Sequence, residues 1–183
     1  MRDEEAPVSI GFMRAEDIPR IREIEKQCFT DLWPEDGFER ELQNTKVGLY
    51  LVAHTGEMVV GYMGAWIIMD ESHITTLAVD PSCQHRKIGL RLVLRLMREA
   101  ITRGARWSTL EVAEKNTAAL RLYDKFGFNR VGIRRDYYGE GNNALVMWAG
   151  NLQKDSYRAR LEALEQSLDE ARERGEERLS GSA

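Results

Sequence analysis

With 183 residues, 43% of them hydrophobic, the chain can bury one sizeable core, and two full domains would be cramped. Its formal charge of -4 argues against nucleic acid as a partner, because phosphate affinity comes from clustered Lys and Arg. Cys28 and Cys83 are too few and too far apart for a disulfide framework, and no Cys or His stands near either at zinc-ligand spacing, so no metal and a reducing, cytoplasmic setting are expected.

The first residues, Met1 to Glu5, are charged and lack an apolar leader core. From Asp17, placed as an N-cap, Ile18, Ile21, Ile24 and Cys28 recur at helical spacing, with Pro19 tolerable in the first turn. A break at Leu32-Trp33-Pro34 precedes a shorter helix, Glu35 to Leu42. β-Branched and aromatic residues then predict strands over Leu49–Ala53 and Met58–Ile68, joined by a turn at Thr55-Gly56. The longest apolar stretch, Val59 to Met69, contains Gly61 and Gly64 and is too short to span a bilayer, so no membrane association is expected.

A third strand, His73 to Val79, ends at Asp80-Pro81 and leads through a basic loop into a helix carrying Ile88, Leu92, Val93, Leu96, Met97, Ala100 and Ile101, stopped by Gly104. The strand Ser108–Val112 follows, so this strand, helix, strand unit predicts a parallel pair. A helix over Thr117–Lys125, closed by Gly127, and strands over Arg130–Arg134 and Ala144–Trp148 complete an α/β (α+β) domain with a mixed sheet, ending near Leu152. Residues 153–183 shift to Glu, Arg, Ala and Leu, with Tyr157, Leu161, Leu164, Leu168 and Ala171 in heptad-like spacing. This stripe suits a helix packed on its own domain, with a dimer or partner contact as the alternative, and fraying is expected from Gly175 to Ala183.

The strongest local signal is the junction Leu77-Ala78-Val79-Asp80-Pro81-Ser82-Cys83-Gln84-His85-Arg86-Lys87-Ile88-Gly89-Leu90. Helix starts leave backbone N–H groups unpaired and carry positive partial charge, so a basic strand-to-helix turn suits a pyrophosphate. The junction resembles the acetyl-CoA motif of the GNAT acetyltransferase family, with Gln84, Lys87 and Gly89 at its three defining positions. Lys87 stands where the family has Gly. If the backbone there is left-handed, Lys costs roughly 1 to 2 kcal/mol more than Gly.

Further landmarks of that family follow in order: Leu110-Glu111-Val112, Asn116, and Leu122-Tyr123-Asp124-Lys125-Phe126-Gly127-Phe128. Gly132 to Tyr138 and Ala144 to Trp148 look like the closing segment of the RimI-type ribosomal-protein N-terminal acetyltransferases, a resemblance covering about Ser9 to Leu152. It implies the GNAT fold, a mixed, mostly antiparallel sheet flanked by helices, whose parallel pair splays at the cofactor site. It also implies acetyl-CoA as cosubstrate and direct transfer to an amine.

Carried over residue by residue, the resemblance makes Glu111 the general base and Tyr123 the general acid beside the coenzyme sulfur. Without it, Glu111 reads as a surface carboxylate and Tyr123 as a packing aromatic. Backbone of Leu77, Ala78 and Val79 is then expected along pantetheine, residues Gln84 to Leu90 around the diphosphate, and Asn116 on the cofactor or as a helix cap. Trp33, Glu35, Tyr137 and Tyr138 are candidates for a peptide groove; as plain loop aromatics Trp33, Tyr137 and Tyr138 could equally cover a core edge. The histidines give no metal constellation: His54 abuts a turn, His73 begins a strand and His85 lies in the basic loop.

An α-amine titrates near about 7.7 to 8 and a lysine near about 10.4, a gap worth about 3.5 kcal/mol in favour of a neutral N-terminus at cellular pH. One carboxylate base, worth roughly 10² to 10⁴ in rate, therefore matches an N-terminal amine better than a lysine. The expected acceptor is a protein N-terminus, alanine on a ribosomal protein. The alternatives are a lysine or small amine, or a non-catalytic interaction protein in which Lys87 has spoiled cofactor binding.

Overall fold

The structure, a computed structural model, describes residues 7–44 and 46–180. Seven strands, β1 (Val8–Phe12), β2 (Gly48–Thr55), β3 (Met58–Ile68), β4 (Glu71–Val79), β5 (Trp107–Ala113), β6 (Asn129–Arg134) and β7 (Ala144–Ala149), form one sheet in the order β1-β2-β3-β4-β5-β7-β6. Every neighbouring pair is antiparallel apart from β4 and β5, which are parallel as expected for a strand, helix, strand unit. Five helices flank it: α1 (Ile18–Cys28), α2 (Gly37–Gln43), α3 (Ile88–Thr102), α4 (Thr117–Lys125) and α5 (Asp155–Ser180). The mixed, mostly antiparallel sheet flanked by helices is the fold the resemblance implied.

The two faces of the sheet carry separate cores because the strands alternate what they bury. On one face the α3 stripe Ile88, Leu92, Leu96, Met97 and Ala100 packs with Leu110, Met147 and Phe126. On the other, Ile21 and Ile24 of α1 and Phe38 of α2 cover Tyr50, Val52 and Tyr62. Leu92 and Leu96 are wholly buried, each worth about 1.5–3 kcal/mol. Truncating Leu96 to Ala would cost about 2–5 kcal/mol.

Several expectations are corrected. β1 was not foreseen. Asp17 stands at the N-cap position of α1 as expected, but its side chain makes no capping hydrogen bond there: it also closes a short 3-10 turn (Ala15–Asp17), where its carboxylate accepts the Arg14 N–H at 2.8 Å and faces His54 Nε2 at 3.2 Å. α2 begins at Gly37, two residues after the expected Glu35. The helical backbone of α5 continues past Gly175 to Ser180, while Met1 to Glu5 and the end of the expected frayed tail, 181–183, lie outside the described residues.

One irregularity places the site. β3 and β4 pair Ala65 with Ile74 and Gly64 with Thr76, so Thr75 is an extra residue, a β-bulge. The parallel ladder runs from Glu71–Trp107 to Ile74–Leu110 and stops at that bulge. Beyond it, Thr75–Val79 and Glu111–Ala113 no longer pair with each other, so the ladder is open at that end.

Candidate active site

The loop leaving β4 is held by Asp80. Its Oδ1 accepts the Ser82 N–H at 2.8 Å and the Ser82 hydroxyl at 2.6 Å, and its Oδ2 pairs with Arg20 of α1. Burial alone would raise this carboxyl, but the Ser82 hydrogen bonds and the Arg20 charge prevail and hold it below the usual carboxylate range. The chain then makes a 3-10 turn, Pro81–Cys83, and enters α3 with His85 at φ +67 and Lys87 at φ +58. Lys87 therefore does adopt the left-handed conformation for which glycine is usual, and it is exposed.

This loop fits a diphosphate. The first turn of α3 leaves N–H groups without intrahelical partners, and His85, Arg86 and Lys87 precede it; Arg86 Nη1 also reaches Thr55 Oγ1 at 3.5 Å. Gly89 faces α4, where an added Cβ would stand 3.3 Å from Leu122 Cδ2, a tight contact that Leu122 would have to yield to. Ile88 points into the core, and Gln84 and Leu90 stand on either side of the turn. The side chain of Ala78 packs under α1 with Tyr62, while Leu77 and Val79 face the α3 side. The Val79 carbonyl accepts the Cys28 thiol at 3.5 Å.

Glu111 is the first residue of β5 beyond the last parallel pair. Its side chain is about nine-tenths buried, with Oε2 3.3 Å from His73 Nε2 and Oε1 3.2 Å from an Arg134 nitrogen. His73 Nδ1 lies 2.9 Å from Thr109 Oγ1, whose hydroxyl donates to Glu71 at 2.8 Å. Glu111 sits at the end of a Glu71, Thr109, His73 chain on one face of the sheet.

Tyr123 of α4 is buried. Burial, and secondarily the nearby Tyr138 phenol, raise its pKa and keep it protonated. Asn116 caps α4, its Oδ1 accepting the Ala119 N–H at 3.0 Å.

The β6–β7 loop brings Tyr138 to Glu111: its hydroxyl donates to the Glu111 carbonyl at 3.3 Å. Tyr137 meets Tyr138 edge-on at 4.9 Å and lies under the Arg134 guanidinium at 5.4 Å. The loop is tied by Gly141 N–H to Asp136 (2.7 Å) and Asn143 to Glu114 (3.1 Å).

Trp33 and Glu35 lie on the α1–α2 segment. Glu25, almost fully buried, accepts the Trp33 N–H at 2.8 Å and Arg22 at 2.9 Å, and Arg22 donates onward to the carbonyls of Trp33, Pro34 and Glu35. Trp33 stacks on Phe38 at 5.1 Å and meets Tyr50 edge-on. From there Glu41 accepts both the Tyr50 hydroxyl (2.8 Å) and Trp66 Nε1 (2.9 Å), and Trp66 stacks on His73. Sequence reasoning missed His73, Arg134 and this Glu41 bridge. His73 of β4 meets Thr109 and Glu111 of β5 only through the strand register.

Among the described residues no group of three His, Cys, Asp or Glu side chains is arranged for a metal, and no helix is long and apolar enough to cross a membrane. A sheet splayed at one parallel pair beside a basic helix-start loop is the architecture of an acetyl-CoA-dependent N-acetyltransferase. The acetyltransferase (GNAT) family model matches residues 18–128, and the chain belongs to that family, among its RimI-type members.

The relatives include the putative [ribosomal protein bS18]-alanine N-acetyltransferase of Bacillus subtilis, 39% identical over 137 residues, covering 74% of this chain and 91% of that one. The N-alpha-acetyltransferase RimI of Mycobacterium tuberculosis is 40% identical over 144 residues, 75% and 89% of the two chains. The crystal structure of the Escherichia coli ribosomal-protein-S18-alanine N-acetyltransferase superposes with a TM-score of 0.72 at 27% identity, covering 79% and 94%. Arabidopsis thaliana NAA60, solved with acetyl-CoA, shares the fold at TM-score 0.70 and 18% identity, over 79% and 98%. The chain is an acetyl-CoA-dependent N-acetyltransferase.

Proposed function

We propose that the enzyme acetylates the α-amine of a protein N-terminus, the N-terminal alanine of ribosomal protein bS18, in the cytoplasm. The relatives named for that acceptor support the reading, and they do not favour a lysine or a small amine. The single observation that carries it is the buried Glu111 carboxylate at the open end of the parallel ladder, oriented by His73 and Arg134 beneath Tyr138.

In this reading residues 84–90 hold the diphosphate, and main-chain groups of Leu77 to Val79 run along pantetheine. Acetyl-CoA brings an acyl thioester. Glu111 takes a proton from the acceptor ammonium, the freed amine attacks the thioester carbonyl and forms the amide as the carbon–sulfur bond breaks, and the Tyr123 phenol, kept protonated by burial, gives its proton to the departing sulfur and recovers one, through solvent, from the acylated nitrogen. Tyr137 and Tyr138 form one wall of the peptide groove and the Trp33–Glu35 segment the other.

The test is coenzyme A release with a peptide starting at alanine, against the same peptide blocked at its N-terminus but carrying a lysine. Release with the free peptide alone supports the proposal; equal release with both would move the acceptor to lysine.

A further inference from the structure

Helix α5 lies outside the residues matched by the family model, yet its first turns are joined to the turn that follows Tyr123. Tyr157, buried, donates its hydroxyl to the Phe126 carbonyl at 2.9 Å. Arg160 donates to the Lys125 carbonyl at 3.3 Å, and its guanidinium covers Gly127, where an added Cβ would sit 3.3 Å from Cζ. Gly127 has φ +77, so the chain reverses sharply there. Two side chains of α5 therefore satisfy carbonyls that the end of α4 leaves without helical partners, and one of them places a cation at the negative end of that helix.

The same turn holds Tyr123. Its carbonyl accepts N–H groups from both Phe126 and Phe128, at 3.0 and 3.2 Å, and its ring meets the Phe128 ring at 5.5 Å. On the other side α5 is tied to α3, by Glu165 to Arg98 at 2.5 Å and by the buried Leu161 and Leu168. Just before α5, Gln153 donates to the Ile101 and Ala105 carbonyls at 2.9 and 2.7 Å. Thus α5 spans the ends of the helix that begins at the diphosphate loop and of the helix that carries the phenol.

We infer that Tyr157 and Arg160 are positioning residues for the acetyl transfer: through the 125–128 turn they fix where the Tyr123 hydroxyl stands relative to the coenzyme sulfur. The inference rests on the proposed acid role of Tyr123. A displaced proton donor slows the chemical step without weakening either substrate's binding.

The experiment is a double-mutant comparison in the full-length enzyme, with kcat and both KM values measured for Tyr157→Phe, Arg160→Gln, Tyr123→Phe and the two combinations with Tyr123→Phe. The expected result is a fall in kcat of about three- to ten-fold for Y157F and R160Q. Both KM values stay near those of the parent, and neither change adds to the loss when Tyr123 is already Phe. Full kcat in both variants, or losses that multiply with that of Y123F, overturns the inference. If Y123F itself keeps full kcat, the acid role is what fails. Arg160 is exposed, so R160Q keeps the comparison alive should Y157F unfold at the assay temperature, as thermal melts would reveal.

Discussion

His73 Nε2 stands 3.3 Å from Glu111 Oε2, joining β4 to β5 at the point where their ladder ends. With Arg134 on the other oxygen, the carboxylate is held in one orientation facing the gap. Glu111→Gln keeps the shape and one accepting oxygen but removes the proposed base. It should lower kcat by roughly 10² to 10⁴ and change the pH dependence of the rate, while coenzyme A affinity by calorimetry stays as in the parent. A matching loss of affinity would make Glu111 structural.

Lys87 at φ +58 carries a strain that glycine would not. Relief of about 1–2 kcal/mol is partly offset by the greater freedom glycine has in the unfolded chain, about 0.5–1 kcal/mol. Lys87→Gly should therefore stabilise the fold by about 0.5–1 kcal/mol in urea titrations. A destabilised variant would show that the Lys87 side chain makes interactions outweighing its backbone strain.

Gly64 lies under the Tyr50 ring, where an added Cβ would stand 2.3 Å from Cε1. Because Glu41 holds the Tyr50 hydroxyl, the ring cannot move aside freely. Gly64→Ala should cost about 1–3 kcal/mol in stability and raise KM for the acceptor peptide, since Tyr50 joins the Trp33 segment to Trp66. Urea titration and steady-state kinetics on one preparation check both effects.

Burial raises the pKa of Tyr50, Tyr62, Tyr123 and Tyr157. Above the ordinary tyrosine pKa of about 10 the unfolded chain loses these protons and the folded chain keeps them, so the folded state binds more protons. The stabilisation is whole below that pH and is lost as pH rises, by up to about 1.4 kcal/mol per pH unit for each tyrosine. Urea midpoints should be level as pH approaches 10 and fall steeply above it. A flat profile through the alkaline range would mean that these phenols ionise in the folded protein.

Much of this architecture was legible in the sequence because the strongest periodicities, in α3 and in β3 to β5, coincide with what the sheet buries. β1 escaped notice because five residues, one of them Gly11, at a sheet edge give little alternation. The side-chain role of Asp17 could not be read, since a helix cap and a cap of the preceding turn look alike in sequence. His73 and Arg134 reach Glu111 only through strand register and the Thr75 bulge, which no local pattern announces. The left-handed backbone at Lys87 was anticipated as a conditional cost, and the loop adopts it.

The most direct test is a crystal structure of the enzyme with coenzyme A covalently joined to the N-terminus of an alanine-initiated peptide. The account predicts the diphosphate against the N–H groups of residues 85–90, the peptide nitrogen beside Glu111, and the sulfur beside the Tyr123 hydroxyl. A diphosphate bound away from that loop, or a nitrogen remote from Glu111, would contradict it.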